Sequence, residues 1–204
     1  MTGGSGLRRF VGPAPAPAAP PAPSTEPVAE PCELCGAAAG PEHGHVVDTE
    51  NRSLRCACRP CYLLFADGAG RFRAVPDRVR TGRRLVPAEW ESLGIPVGSA
   101  FFLRSDVGVT AFYPSPAGAT ESLLNLDAWA ALHETHPLLA AAKPEVEAIL
   151  VRDGECFLVP VDACYELVGL VRLYWKGFDG GQEAHEQIDE FFARIRARAT
   201  ELTG

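Results

Sequence analysis

Cys32-Glu-Leu-Cys35-Gly36 and, after a gap, Cys56-Ala-Cys58-Arg-Pro-Cys61-Tyr62-Leu-Leu-Phe65 decide how this chain begins to fold. Cys35 and Cys58 are separated by 22 residues, so the core reads as two C-x2-C pairs at the spacing of a structural tetrathiolate site. A C-x2-C pair bends the chain into a tight knuckle that aims both sulfurs at one ion. Gly36 supplies the backbone freedom the first knuckle needs. Four thiolates in a closed tetrahedron suit zinc, so Cys32, Cys35, Cys58 and Cys61 are the expected metal ligands. Between the knuckles, His45-Val-Val-Asp-Thr and Ser53-Leu-Arg-Cys-Ala57 flank the polar turn Glu50-Asn-Arg52, which reads as a hairpin. Tyr62–Phe65 reads as a short apolar helix stopped by Asp67-Gly68.

Knuckle, hairpin, knuckle, helix is the order of a treble-clef finger, expected over residues 32–69. A module of about 35 residues buries too little surface to fold alone, so metal binding supplies much of its folding free energy. Cys56, His43 and His45 lie between or beside the pairs and are alternate ligands for the same ion, or for a second one. Their plainer reading is a hairpin thiol and polar side chains at the hairpin entry. Cys156 and Cys164 fall in apolar segments and read as core residues.

The chain has 204 residues, 47% of them hydrophobic, which is ordinary for a globular core. No apolar run is long enough to span a bilayer, so no membrane partner is expected. Arg8 and Arg9 are followed by proline and alanine rather than an apolar stretch, which argues against a signal peptide. The expected compartment is the cytoplasm, where clustered cysteines bind metal more often than they form disulfides. Residues 1–31 contain the run Pro13–Pro23 of proline and alanine and read as a disordered tail. Net charge is −7, which disfavours general attraction to nucleic acid. Residues 52–84 depart from this, with nine arginines against two acids. Arg71, Arg73, Arg78, Arg80, Arg83 and Arg84 are the candidate surface for an acidic protein partner. The plainer reading is a solvated strand and loop.

Residues 70–204 read as an α+β domain of hairpins and helices. Arg71–Val75 is an expected strand, and Pro87-Ala-Glu-Trp90 opens a helix stopping near Gly94. Ala100–Arg104 with Val109–Tyr113, and Glu145–Val151 with Cys156–Val159, are expected hairpins. Helices are expected over Leu126–Thr135, with Asp127 near its start, and from an Asp162 cap to Trp175. A final helix from about Gln182 to Leu202 carries the apolar stripe Ala184, Ile188, Phe191, Phe192, Ile195, Ala199 and Leu202. Tyr113-Pro-Ser-Pro-Ala-Gly-Ala-Thr-Glu-Ser122 reads as an irregular loop. Its Ser115, Thr120, Glu121 and Ser122 are candidates for an anion or a partner, with an ordinary turn before a helix the simpler reading.

Three resemblances follow from these motifs. The histidines between two knuckles resemble the His-Asn-His nucleases of the endonuclease VII type, in which His43 or His45 would activate water. Those enzymes place an asparagine directly after the last cysteine, where this chain has Tyr62. The first knuckle, ending in Gly36, resembles that of rubredoxin, which implies iron and electron transfer. Tyr62-Leu63 stands where the second rubredoxin knuckle has glycine, so zinc is preferred to iron.

The most extensive resemblance is to a bacterial family encoded mainly in actinobacteria, often beside nickel–iron hydrogenase and hydrogenase-maturation genes. It rests on the knuckles, His43-Gly-His45, Ala74-Val-Pro-Asp-Arg78, Ile95-Pro-Val97, Phe112–Ser122, Val159-Pro-Val-Asp162, Cys164-Tyr-Glu-Leu-Val168 and Trp175-Lys-Gly177. Its most specific segment is 112–122. It implies a hydrogenase setting and no mechanism. The expected function is therefore a zinc-binding, non-enzymatic accessory protein that docks a hydrogenase or maturation factor. A rubredoxin-like carrier and a nucleic-acid-binding or degenerate nuclease module are the alternatives.

Overall fold

A computed structural model describes residues 30–68 and 70–202. The Pro/Ala-rich tail lies outside the described residues up to position 29. In chain order the elements are β1 (Gly44–Asp48), β2 (Ser53–Ala57), α1 (Arg59–Leu64), β3 (Phe72–Ala74), β4 (Arg80–Thr81) and α2 (Pro87–Leu93). Then come β5 (Ser99–Ser105), β6 (Gly108–Ser115), β7 (Gly118–Ser122), α3 (Leu126–Thr135) and α4 (Pro137–Ala141). The chain ends with β8 (Glu147–Arg152), β9 (Glu155–Pro160), α5 (Val161–Tyr174), α6 (Gly181–Arg198) and β10 (Thr200–Glu201). The architecture is mixed α+β, with two sheets and six helices among the described residues.

The larger sheet has the order β10-β4-β9-β8-β5-β6-β7 and is antiparallel apart from the β10–β4 pair. Its central strands are apolar on both faces because helices cover both faces. Successive side chains in a strand point to opposite sides. Ala148, Leu150, Phe157 and Val159 therefore meet α5 and α6 through Cys164, Leu167, Phe191, Phe192 and Ile195. Ile149, Val151, Cys156 and Leu158 face the other way, onto Leu93, Trp129, Leu132, Leu138 and Leu139 of α2, α3 and α4. Phe191 and Phe192, each fully buried, contribute about 1.5–3 kcal/mol apiece relative to exposure. Cys156 and Cys164 are core residues, and burial pushes the Cys156 thiol up to about 11.

Three local expectations need revision. Segment 113–122 is a hairpin rather than an irregular loop: β6 and β7 pair from Ala111↔Ser122 to Ser115↔Gly118 around Pro116-Ala117. Pro114 is tolerated because pairing of β6 with β5 has already ended at Phe112. The final helix stops at Arg198 rather than at Leu202, because Thr200–Glu201 leaves to pair with Arg80–Thr81. Asp162 does not cap α5, whose N-cap is Pro160. Its carboxylate is committed elsewhere.

His136, 1% exposed at the junction of α3 and α4, was not singled out by the sequence. Its Nε2–H donates to the Arg83 carbonyl at 2.9 Å, and its Nδ1 has no hydrogen-bond partner among the described residues. Burial holds its pKa below the ordinary histidine value. An unfolded histidine titrates near 6.5, so below that pH the unfolded chain binds a proton that the folded chain refuses. Stability is therefore expected to fall as pH drops from 7 to 5. Thermal melts of wild type and His136→Gln across this range check it: the variant's midpoint should depend less on pH, and equal slopes would remove His136 as the cause.

Candidate metal centre

The small sheet has the order β2-β1-β3, so its third strand comes from Phe72–Ala74, beyond the expected module limit at residue 69. The first knuckle is a miniature hairpin. Gly36 N–H donates to the Cys32 carbonyl at 2.8 Å, Cys32 N–H to Ala37 at 2.7 Å, and Glu33 N–H to the Cys56 carbonyl at 2.9 Å. Gly36 has φ +75°, the left-handed conformation glycine adopts without strain. The second knuckle starts where β2 ends. Cys58 is the extended N-cap of α1, Pro60 sits in its first turn, and Cys61 follows within that turn.

These two turns bring Cys32, Cys35, Cys58 and Cys61 together, with all four sulfurs within 4.8 Å of one another. The Cys35–Cys58 sulfurs are 3.7 Å apart. Tetrahedral zinc–thiolate geometry, with bonds of about 2.3 Å, places sulfurs roughly 3.8 Å apart. The donor set and its spacing therefore fit one metal ion. Crowding separates the thiols electrostatically. The Cys58 amide, followed by other backbone donors, draws the Cys32 pKa down to about 6. Hydrogen bonds with the Cys35 and Cys58 thiols, then burial, push Cys61 up to about 12. A divalent cation relieves this conflict by neutralising adjacent thiolates.

Tyr62 follows the last cysteine and plugs the hairpin. A Cβ added to Gly44 would lie 2.3 Å from the Tyr62 ring, so only glycine permits this approach. The Tyr62 hydroxyl donates to the Val75 carbonyl at 3.0 Å. The module is joined to the body by an apolar seam of Val47 and Val75 against Val146 and Val161.

Cys56, His43 and His45 form a second group, whose donor atoms also lie within 4.8 Å of one another. His45 and Cys56 are directly opposed across the β1–β2 ladder. His45 Nδ1 is 2.7 Å from Asp162 of α5, and this is the carboxylate that was expected to cap the helix. His43 Nδ1 is 3.0 Å from the Gly40 carbonyl. The partners of Asp162 and Gly40 were not visible in the motifs. The hairpin was legible, but its register, which closes at Asp48–Ser53 and so sets His45 opposite Cys56, was not.

Each arginine assigned to a partner surface makes an intramolecular contact. Arg71 forks onto the fully buried Asp48 at 2.8 and 2.7 Å, holding that carboxyl well below the usual range. Arg78 forks onto Glu147 at 2.5 and 2.8 Å. Arg83 grips Glu89 at 2.9 and 2.8 Å, Arg84 reaches Glu155 at 3.3 Å, and Arg73 lies 3.7 Å from Asp106. Arg80 bonds the Thr200 hydroxyl. Positive charge counted along the sequence is thus partly neutralised in the fold. Of the other candidates, Ser115 bonds Thr120 at 2.9 Å and closes the β6–β7 turn.

No described helix is long and apolar enough to cross a membrane. No curated protein and no solved structure matches the chain. The model of a family of unknown function, DUF5947, matches residues 31–199, which takes in both the cysteine knuckles and the α+β body, and the chain belongs to that family.

Proposed function

We propose that this protein is a zinc-stabilised, treble-clef-like accessory protein that docks an acidic protein partner. The observation that carries the reading is α1. It is anchored at its first turn by two ligand cysteines, yet none of its residues is buried. Leu63 and Leu64 stand 53% and 76% exposed. Arg59, exposed at the start of the helix, adds positive charge beside this apolar surface. A four-thiolate ion is coordinatively saturated and suits a structural role, holding such a helix rigid for a partner. The resemblance over residues 32–181 points that partner toward nickel–iron hydrogenase or its maturation machinery.

Two measurements test this. Protein purified without added metal should be colourless and contain zinc, whereas a red protein containing iron would favour the rubredoxin-like carrier. In capture from native lysate, Leu63→Ser/Leu64→Ser should lose an acidic protein that the wild type retains, with an unchanged thermal midpoint. Retention of that protein by the folded variant would sink the docking role of α1, and recovery of nucleic acid instead would favour the nucleic-acid reading.

A further inference from the structure

We propose that His43, His45 and Cys56 form a second metal site, separate from the four-cysteine centre and open at one coordination position. Strand geometry supplies the first argument. His43, just before β1, and His45 are two residues apart, so they share one face at the start of that strand, and Cys56 is the cross-strand partner of His45 on that same face. Gly44, between the histidines, faces Tyr62 on the opposite side. The hairpin therefore directs these three donors away from Tyr62 and toward one another. The two histidine rings meet edge to face, with centroids 5.1 Å apart.

The hydrogen bonds supply the second argument. Metal-ligating histidines characteristically donate their other ring N–H to a carboxylate or a backbone carbonyl, which fixes the tautomer and the ring orientation. Both histidines have that arrangement here. His45 Nδ1 meets the Asp162 carboxylate at 2.7 Å, and His43 Nδ1 meets the Gly40 carbonyl at 3.0 Å. With Nδ1 protonated in each ring, Nε2 carries the free lone pair. Asp162 comes from a helix 117 residues away in sequence, so its contact with His45 is not a by-product of the hairpin. Cys56 lies beside Glu30, whose carboxylate is 3.7 Å from the sulfur and makes the site more favourable to a cation.

Two imidazoles and one thiolate suit a zinc-class divalent ion, and three protein ligands leave a fourth position for water or an added ligand. Donor atoms within 4.8 Å of one another need to close by at most about 1.5 Å to reach tetrahedral spacing, a movement His43 can make from its position just outside the strand. On binding, Cys56 releases its thiol proton to solvent and both histidines stay neutral. A cleft of about 310 Å³ reaches His45 on the side of its Asp162 partner, where Arg194 and Arg198 are paired with Glu166 and Asp77.

The test counts metal in the full chain, purified without chelator and then titrated with zinc against a chromophoric competitor. Wild type should hold two zinc ions per chain, one released more readily. His43→Ala/His45→Ala and Cys56→Ser should each hold one, keep the circular dichroism of the wild type and retain the tight ion. Asp162→Asn leaves all three ligands in place and should weaken the second ion by about 10- to 100-fold. With cobalt(II) as probe, Cys56→Ser should lose one set of thiolate charge-transfer bands and retain those of the four-cysteine centre. A single zinc ion in the wild type with no second binding step, or two ions retained by the double histidine variant, would overturn the proposal.

Discussion

Serine in place of any one of Cys32, Cys35, Cys58 or Cys61 is expected to unfold the segment from residue 30 to about residue 75. This is the largest effect predicted for a single side chain. The small sheet has three short strands, and α1 buries none of its residues, so little apolar burial holds the module together without an ion. Binding free energies for structural zinc in finger peptides are about 10–16 kcal/mol, and that energy is folding energy where no site exists in the unfolded chain. A serine hydroxyl is a poor ligand for zinc and leaves three crowded thiols around a weakly held cation. The consequence extends into the body, because Val47 and Val75 cover Val146 and Val161 at the seam. Loss of the tightly held metal ion, rapid protease cleavage within residues 30–75 and a lower midpoint for the remainder are the expected readouts. A strong chelator should reproduce them in the wild type. Four variants that keep their metal and their protease resistance would show that the cysteines do not form a structural centre.

The cysteine pairs were legible because metal chemistry imposes a fixed local spacing, and both knuckles lie where that spacing puts them. The β1–β2 hairpin, α3 and the stripe of α6 as far as Ile195 were legible for a similar reason, since their periodicities are local, whereas Leu202 lies past the helix and packs on the other face of the sheet. Features set by distant partners were not. β4 and β10 are two residues each and exist only because they pair with strands remote in sequence. β7 was hidden by Pro114 and Pro116, which look like breakers until the register shows that one lies beyond the neighbouring ladder and the other in the turn. Asp162 has the local appearance of a helix cap, yet it serves a histidine on another element. The arginine-rich stretch shows the same limit in electrostatic form. A count of charges registered an excess of cations, whereas Glu147, 69 residues after Arg78, neutralises one of them inside the fold.

That pair carries the second large effect. Arg78→Met is expected to destabilise the body by about 3 kcal/mol, the lower end of the cost of breaking a buried ion pair, because Arg78 itself remains one-third exposed. Glu147 is fully buried at the start of β8 and accepts from Arg78 Nε at 2.5 Å, from Arg78 Nη2 at 2.8 Å and from the Lys143 amide at 2.8 Å. Arg78 also donates to the Ala141 carbonyl at 3.3 Å, tying the end of α4 to the segment that leads into β4. Removing the guanidinium strands a carboxylate with one remaining donor and no compensating charge. A single domain of this size loses about 2–4 °C per kcal/mol, so the midpoint should fall by roughly 6–12 °C. Arg78→Met/Glu147→Leu should recover much of that loss, since replacing both partners by apolar groups removes the desolvation penalty with the attraction. Arg78→Glu should be worse than Arg78→Met, because it faces Glu147 with a second carboxylate. Charge reversal across the basic stretch therefore has to spare Arg78 if it is to report on a partner rather than on folding. Thermal melts of the single and double variants decide the matter: an Arg78→Met midpoint within about 2 °C of wild type, less than the effect of 1 kcal/mol, would show that the pair is not a strut of the body.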